Sequence, residues 1–269
     1  MQFVEAIAEC GLGFPDIIAD GSIHRFQAPD DKSRNSWYVL YEDVGVFGCW
    51  KRGISETWSN GKKLSGEAVK VAQKTIRNNI REQQKKAAVI AREMWMAAKP
   101  DSHPYLTKKR IPDGVLRVLD GVLLVPMYDN DEQIINIQRI YADGSKRFLK
   151  GGQVKGCFAP IGNLLPPIAI CEGYATGFAV NQNMGYSVAV AFNCHNLMAV
   201  AQKFRKRFPG KEIIICADND WENPDNPGML FGGKAAELIQ ARMEYPEFPH
   251  TQQYSGMTDF WDFYYGGSK

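Results

Sequence analysis

Residues 168–180 read IAICEGYATGFAV. The apolar run predicts a buried strand, yet it ends on an acid, Glu172, with Gly173 directly behind it. A lone carboxylate at the end of a core strand costs on the order of several kcal/mol unless something pairs with it. The next residues, YATGFAVNQNMG, predict a helix. The alternation then repeats, with SVAVAF before NLMAVAQKFRKRF and KEIIICADND before GGKAAELIQARM. Strands alternating with helices imply a parallel sheet with crossovers, so residues 166–269 read as one α/β domain.

In open sheets of this kind, ligands bind beyond the carboxyl ends of the strands. Glu172, Asp218 and Asp220 all fall at that edge. The two acids of D-x-D point to the same side of an extended chain. Three converging carboxylates repel one another unless a cation gathers them, and Mg²⁺ takes hard oxygen ligands with water and phosphate completing its shell. That pattern points to phosphoryl transfer with one or two metals. Gly173 is expected to let the chain turn tightly into the following helix.

Upstream the character changes. Residues 1–63 start with a short helix and continue as a β-rich module, in which SWYVLY and GVFGCWKRG flank EDVG as a hairpin. Residues 64–100 carry apolar or small side chains at Val69, Ala72, Ile76, Ile80, Ala87, Ile90, Met94 and Ala97, the spacing of one long amphipathic helix capped by Ser65 and ended by Pro100. Its other face holds Lys70, Lys74, Arg77, Arg81, Lys85 and Arg92, either a solvated surface or a stripe that tracks phosphates. Residues 101–165 turn to short strands, GVLLVPMYD, QIINIQRIY and KRFLKGG, separated by DNDE and ADGS. These predict an antiparallel meander. Arg139, Lys146, Arg147, Lys150 and Lys155 lie close together along it, and a shared basic face beside an acidic site suits a polyanion.

The chain of 269 residues is long enough for two or more modules. Its formal charge of +2 is too small to name a partner, so the local distribution of charge matters more. No stretch is apolar enough to span a bilayer, and the opening MQFVEAIAECGLGF lacks the features of a secretory leader. Six scattered cysteines with no C-x-x-C pair argue against a zinc ribbon and against a disulfide framework. A cytoplasmic protein with no membrane partner is the expectation.

CEGYATG, VAFNCHNLMAVA and IIICADND together resemble the TOPRIM domain, in the branch found in plasmid and bacteriophage primases. The segment from VPMYDNDE to FAPIG is similar to the basic subdomain that precedes it in bacterial-type primases. The resemblance implies an α/β (α+β overall) chain and a metal-dependent RNA primer synthase. Its partners would be a single-stranded DNA template, nucleoside triphosphates and a replicative helicase. By the same resemblance Glu172, Asp218 and Asp220 are catalytic and bind Mg²⁺ or Mn²⁺, and Asp259 and Asp262 of TDFWDF add to the metal set. Arg139, Lys146, Arg147, Lys150, Lys155 and Lys234 would hold phosphates of template or nucleotide. Thr176 stands where many bacterial primases have an acid, and Trp261 where the later acidic motif usually has Asn.

Other features are read structurally. GMLFGGKA, residues 228–235, falls short of a P-loop, because Ala235 replaces the hydroxyl that would hold Mg²⁺ and two prolines precede it. His24, His103, His195 and His250 form no metal-spaced pair, although His195 follows the second parallel strand near the acidic edge. FWDFYYGG reads as packing, with base stacking as the alternative. Two other functions fit the residues: a TOPRIM nuclease, or a non-catalytic single-stranded DNA-binding replication accessory.

Overall fold

The computed structural model describes residues 1–49, 52, 54–60, 66–129 and 132–266, the side chains of 66–69 and 71–73 excepted. Two compact units emerge, Met1–Lys85 and Lys86–Lys269. The division falls inside the long helix rather than near residue 63.

In the first unit, α1 (Phe3–Glu9) buries Phe3, Ala6 and Ile7. They pack with an antiparallel sheet of four strands in chain order: β1 (His24–Phe26), β2 (Ser36–Tyr41), β3 (Val44–Cys49) and β4 (Ile54–Ser59). The predicted hairpin is β2–β3, closed by Glu42 and Asp43, with Glu42 in the left-handed region (φ 51). A two-residue turn of this hand matches the strands' twist. The first unit also takes the start of α2 (Gly66–Ala97). The cap proposed at Ser65 lies outside the described residues, and the helix stops before Pro100 as expected. Lys70, Lys74, Arg77, Arg81 and Lys85 are exposed.

The second unit begins with the rest of α2, then α3 (Pro104–Lys108) and the meander β5 (Arg117–Leu119), β6 (Val122–Tyr128), β7 (Ile134–Ile140) and β8 (Lys146–Phe148), paired in that order. The meander is apolar on both faces. Leu124 and Ile137 pack with Ala91 and Ala98 of the α2 side, while Leu123, Val125, Met127 and Ile140 join the opposite core.

The second sheet has the order β13–β12–β10–β11–β9, from β9 (Ala159–Ile161), β10 (Ile168–Cys171), β11 (Ser187–Val190), β12 (Ile213–Cys216) and β13 (Arg242–Glu244). β10 to β13 are parallel and β9 is antiparallel. Burial on both faces explains why IAIC and IIIC read as unbroken apolar runs. One face carries α5 (Cys194–Arg207) and α6 (Pro227–Ile239), packed on Ile168, Ile170, Ile213 and Ile215. The other carries α4 (Tyr174–Met184), α7 (Phe260–Tyr265), α3 and the meander. That single core runs across residue 165, so meander and parallel sheet form one unit rather than separate modules.

Candidate active site

The chain leaves β10 to one side for β11 and then returns past it to β12, so β10 and β12 are neighbours. Cys171 is in register with Cys216. Glu172 lies directly beyond the first of these ends and Asp218 one residue further beyond the second, and both reach the carboxyl edge, where Glu172 acts on Asp218. Gly173 does not supply the turn expected of it: its φ of −100 is open to any residue. It supplies space instead, because a Cβ there would lie 3.1 Å from Thr176 Oγ1.

Asp220 is held by the start of α6. Its backbone N–H donates to Asn226 Oδ1 (2.9 Å), and its Oδ2 accepts from the Gly228 N–H (3.1 Å). Asn226 also caps α6 by accepting from Met229 N (3.3 Å) and donates to Asn219 Oδ1 (2.9 Å). A Cβ on Gly228 would overlap the Asp218 carbonyl, so only glycine lets α6 approach this closely. Asp259 arrives from the cap of α7. Its Oδ1 accepts from the Asp262 N–H (2.9 Å) and its Oδ2 from the Thr176 hydroxyl (2.9 Å). Asp262 Oδ2 accepts from the Asp259 N–H (3.4 Å), completing a capping box, and also from the Thr258 N–H (2.9 Å).

These acids act on one another. Burial pushes Glu172 up to about 7, with Asp220 and Asp259 adding to the rise and Lys146 opposing it. Burial, then Glu172, Asp259 and Asp220, hold Asp218 well above the usual carboxylate range. Asp259 is raised by burial and by Asp262, against Lys109 and the Thr176 bond. Lys146 is exposed by surface area, yet protein surrounds its ammonium densely enough to depress its basicity, with Asp259, Glu172 and Asp218 pulling the other way.

The six basic residues do not gather. Lys146 pairs in register with Ile140 and Arg147 with Arg139, so alternation sends the two sets to opposite faces. Lys146 shares the face of the carboxylates. Arg139 donates to the Phe148 carbonyl (3.4 Å), and Arg147 lies 5.7 Å from the Tyr141 ring. Lys150 and Lys155 are exposed. Lys234 sits about two turns into α6 rather than at its start, 5.5 Å from the Phe231 ring. Lys109 was not singled out from the sequence. Its ammonium lies 3.6 Å over the Trp261 ring and feels both Asp259 and Asp262.

The donor set suits a hard divalent cation. Among the described residues no three acids, histidines or cysteines already stand in ligand contact. Asp218 Oδ1 is nevertheless buried with no hydrogen-bond partner. An orphaned carboxylate oxygen among mutually repelling acids is the arrangement a cation would complete.

Residues 167–252 match the Toprim domain family. This part of the chain is a Toprim domain. Toprim domains bind divalent metal ions. The chain is 29% and 30% identical to two forms of DNA primase TraC from Escherichia coli, over 278 and 283 residues. Both alignments cover 92% of this chain, but the chain spans only 26% and 19% of those relatives. The similarity therefore extends well beyond the Toprim domain, to the meander and the upstream residues. Among solved structures, the primase fragment of the bacteriophage T7 primase-helicase protein aligns over 56% of this chain and 62% of its own, at 18% identity and TM-score 0.40. The Aquifex aeolicus primase (zinc-binding and RNA polymerase domains) aligns over 98% and 79%, at 14% identity and TM-score 0.38. Among the described residues no helix is long and apolar enough to cross a membrane.

Proposed function

We propose that this chain is the catalytic core of a DNA primase, joining nucleoside triphosphates into RNA primers on single-stranded DNA. The observation that carries the reading is the meeting of Glu172, Asp218, Asp220 and Asp259 with Lys146 from the meander. The similarity to plasmid primases over 92% of the chain supports it.

Glu172, Asp218 and Asp220 would hold Mg²⁺ or Mn²⁺. When bound, such an ion lowers the pKa of an attacking hydroxyl and neutralises phosphate charge. The chain's own groups do the rest. Asn226 and the Gly228 N–H fix the Asp220 carboxylate. Thr176 and the α7 cap fix Asp259. Lys146 and Lys109 bring positive charge to the edge where a triphosphate would sit, stabilising charge that grows on the leaving pyrophosphate. In the reaction, the primer's 3′-oxygen bonds to the α-phosphorus, the bond to pyrophosphate breaks, and the hydroxyl proton leaves to solvent.

The test is primer synthesis from labelled nucleoside triphosphates on single-stranded DNA with Mg²⁺ or Mn²⁺. Glu172→Gln and Asp218→Asn should abolish it, and undiminished synthesis by either variant would refute the reading. Metal-dependent cleavage of the DNA without nucleotide incorporation would point to a nuclease instead.

A further inference from the structure

Between Asp220 and the Asn226 cap of α6 the chain inserts WENPD, residues 221–225, which the chemistry above does not use. This loop is pinned down. Trp221 Nε1 donates to the Met257 carbonyl (3.0 Å), and Glu222 accepts from Ser255 Oγ (2.8 Å) and from the Gly256 N–H (2.9 Å). The Trp221 ring stacks on His250 with centroids 4.7 Å apart and planes 6° from parallel. Packing alone would bury such a pair, yet His250 is exposed and Trp221 half-buried.

The position of the pair is informative. Trp221 follows Asp220 directly, and Met257, which anchors the indole, lies two residues before Asp259. A flat, rigidly backed π-surface thus stands beside the acidic edge. We propose that Trp221 and His250 form a shelf on which a nucleobase stacks, extending the pair by a third ring. The proposal rests on the nucleotide-binding reading of the carboxylate site. Stacking on aromatic rings tolerates any base, because every base has a π-face. The indole hydrogen bond and the Glu222 tether hold the surface in place before the ligand arrives, which lowers the ordering cost of binding.

The test compares binding of ATP with Mn²⁺, inorganic tripolyphosphate with Mn²⁺, and oligothymidylate, each to the whole chain and to two variants. His250→Ala should weaken ATP or oligothymidylate about 5- to 150-fold, the range for losing one base–aromatic stack. It should leave tripolyphosphate unchanged, and His250→Phe should restore the lost binding. A loss confined to ATP assigns the shelf to the incoming nucleotide; a loss confined to oligothymidylate assigns it to the template. The shelf is overturned if His250→Ala leaves ATP and oligothymidylate binding unaltered, or if tripolyphosphate weakens in parallel with ATP. Should the unaltered chain bind neither ATP nor tripolyphosphate with Mn²⁺, the carboxylate site itself fails, and the shelf falls with it.

Discussion

The Thr176 hydroxyl donates a 2.9 Å hydrogen bond to Asp259 Oδ2, joining the first turn of α4 to the cap of α7 across 83 residues. The same bond favours the ionised form of a carboxyl that burial disfavours. Thr176→Val keeps the shape and removes the donor. It should cost about 1–3 kcal/mol, the penalty for a buried acceptor left unpaired, and lower the melting temperature. Thr176→Ser, which keeps the donor, should melt close to the unaltered protein. Equal melting of all three would mean the bond contributes nothing.

Asp218 is a folding liability that binding is expected to justify. Asp218→Asn removes a charge opposed by burial and three neighbouring acids. Without divalent metal at pH 8, the variant should be more stable by roughly 0.5–2 kcal/mol, as when a functional site is relieved of strain. Added Mg²⁺ or Mn²⁺ should then stabilise the unaltered protein, by about 2.7 kcal/mol at a hundredfold excess over Kd, and leave the variant's melting point where it was. An undiminished metal response in Asp218→Asn would remove this residue from the ligand set.

Gly228→Ala tests the approach of α6. The new methyl overlaps the Asp218 carbonyl, so either the helix or the D-x-D segment must move. Overpacking of this kind costs about 1–3 kcal/mol, and the Gly228–Asp220 bond is the first contact strained. Primer synthesis should fall by more than the stability loss explains, measured well below the variant's melting temperature. Full activity there would show that Asp220 tolerates a displaced helix.

Lys146 and Arg147 are adjacent in sequence and opposite in direction, which makes them a matched pair for mutagenesis. Lys146→Ala should reduce primer synthesis by roughly 10²–10³-fold, the scale for removing a group aimed at developing charge. Arg147→Ala should stay within a few-fold. The reverse order would put the catalytic face of the meander on the wrong side.

The parts of this architecture visible in sequence are those with local causes. IAIC and IIIC are buried on both faces, so their composition alone announces parallel strands, and the acids that end them mark the site. β5, β9 and β13 have three residues each, too few to show a period, and exist because a neighbouring strand supplies the partners. The division of the basic residues was legible in principle, since neighbours in a strand must face apart. What hid it was register: only the pairing of Arg139 with Arg147 fixes which faces which way. Lys109 carried no local signal at all, because its acidic partners lie some 150 residues away and come near only in the folded core.

β8 also closes the meander, and among the described residues no strand pairs with its outer side. An open strand edge is a template on which a second chain can assemble, and charged side chains are a common guard against it. Lys146 and Arg147, both exposed as residues, stand on that edge strand. Charge at both positions, on the catalytic face and on the opposite one, therefore blunts the edge, and a variant neutral at both should lose solubility as well as the activity that Lys146 supports.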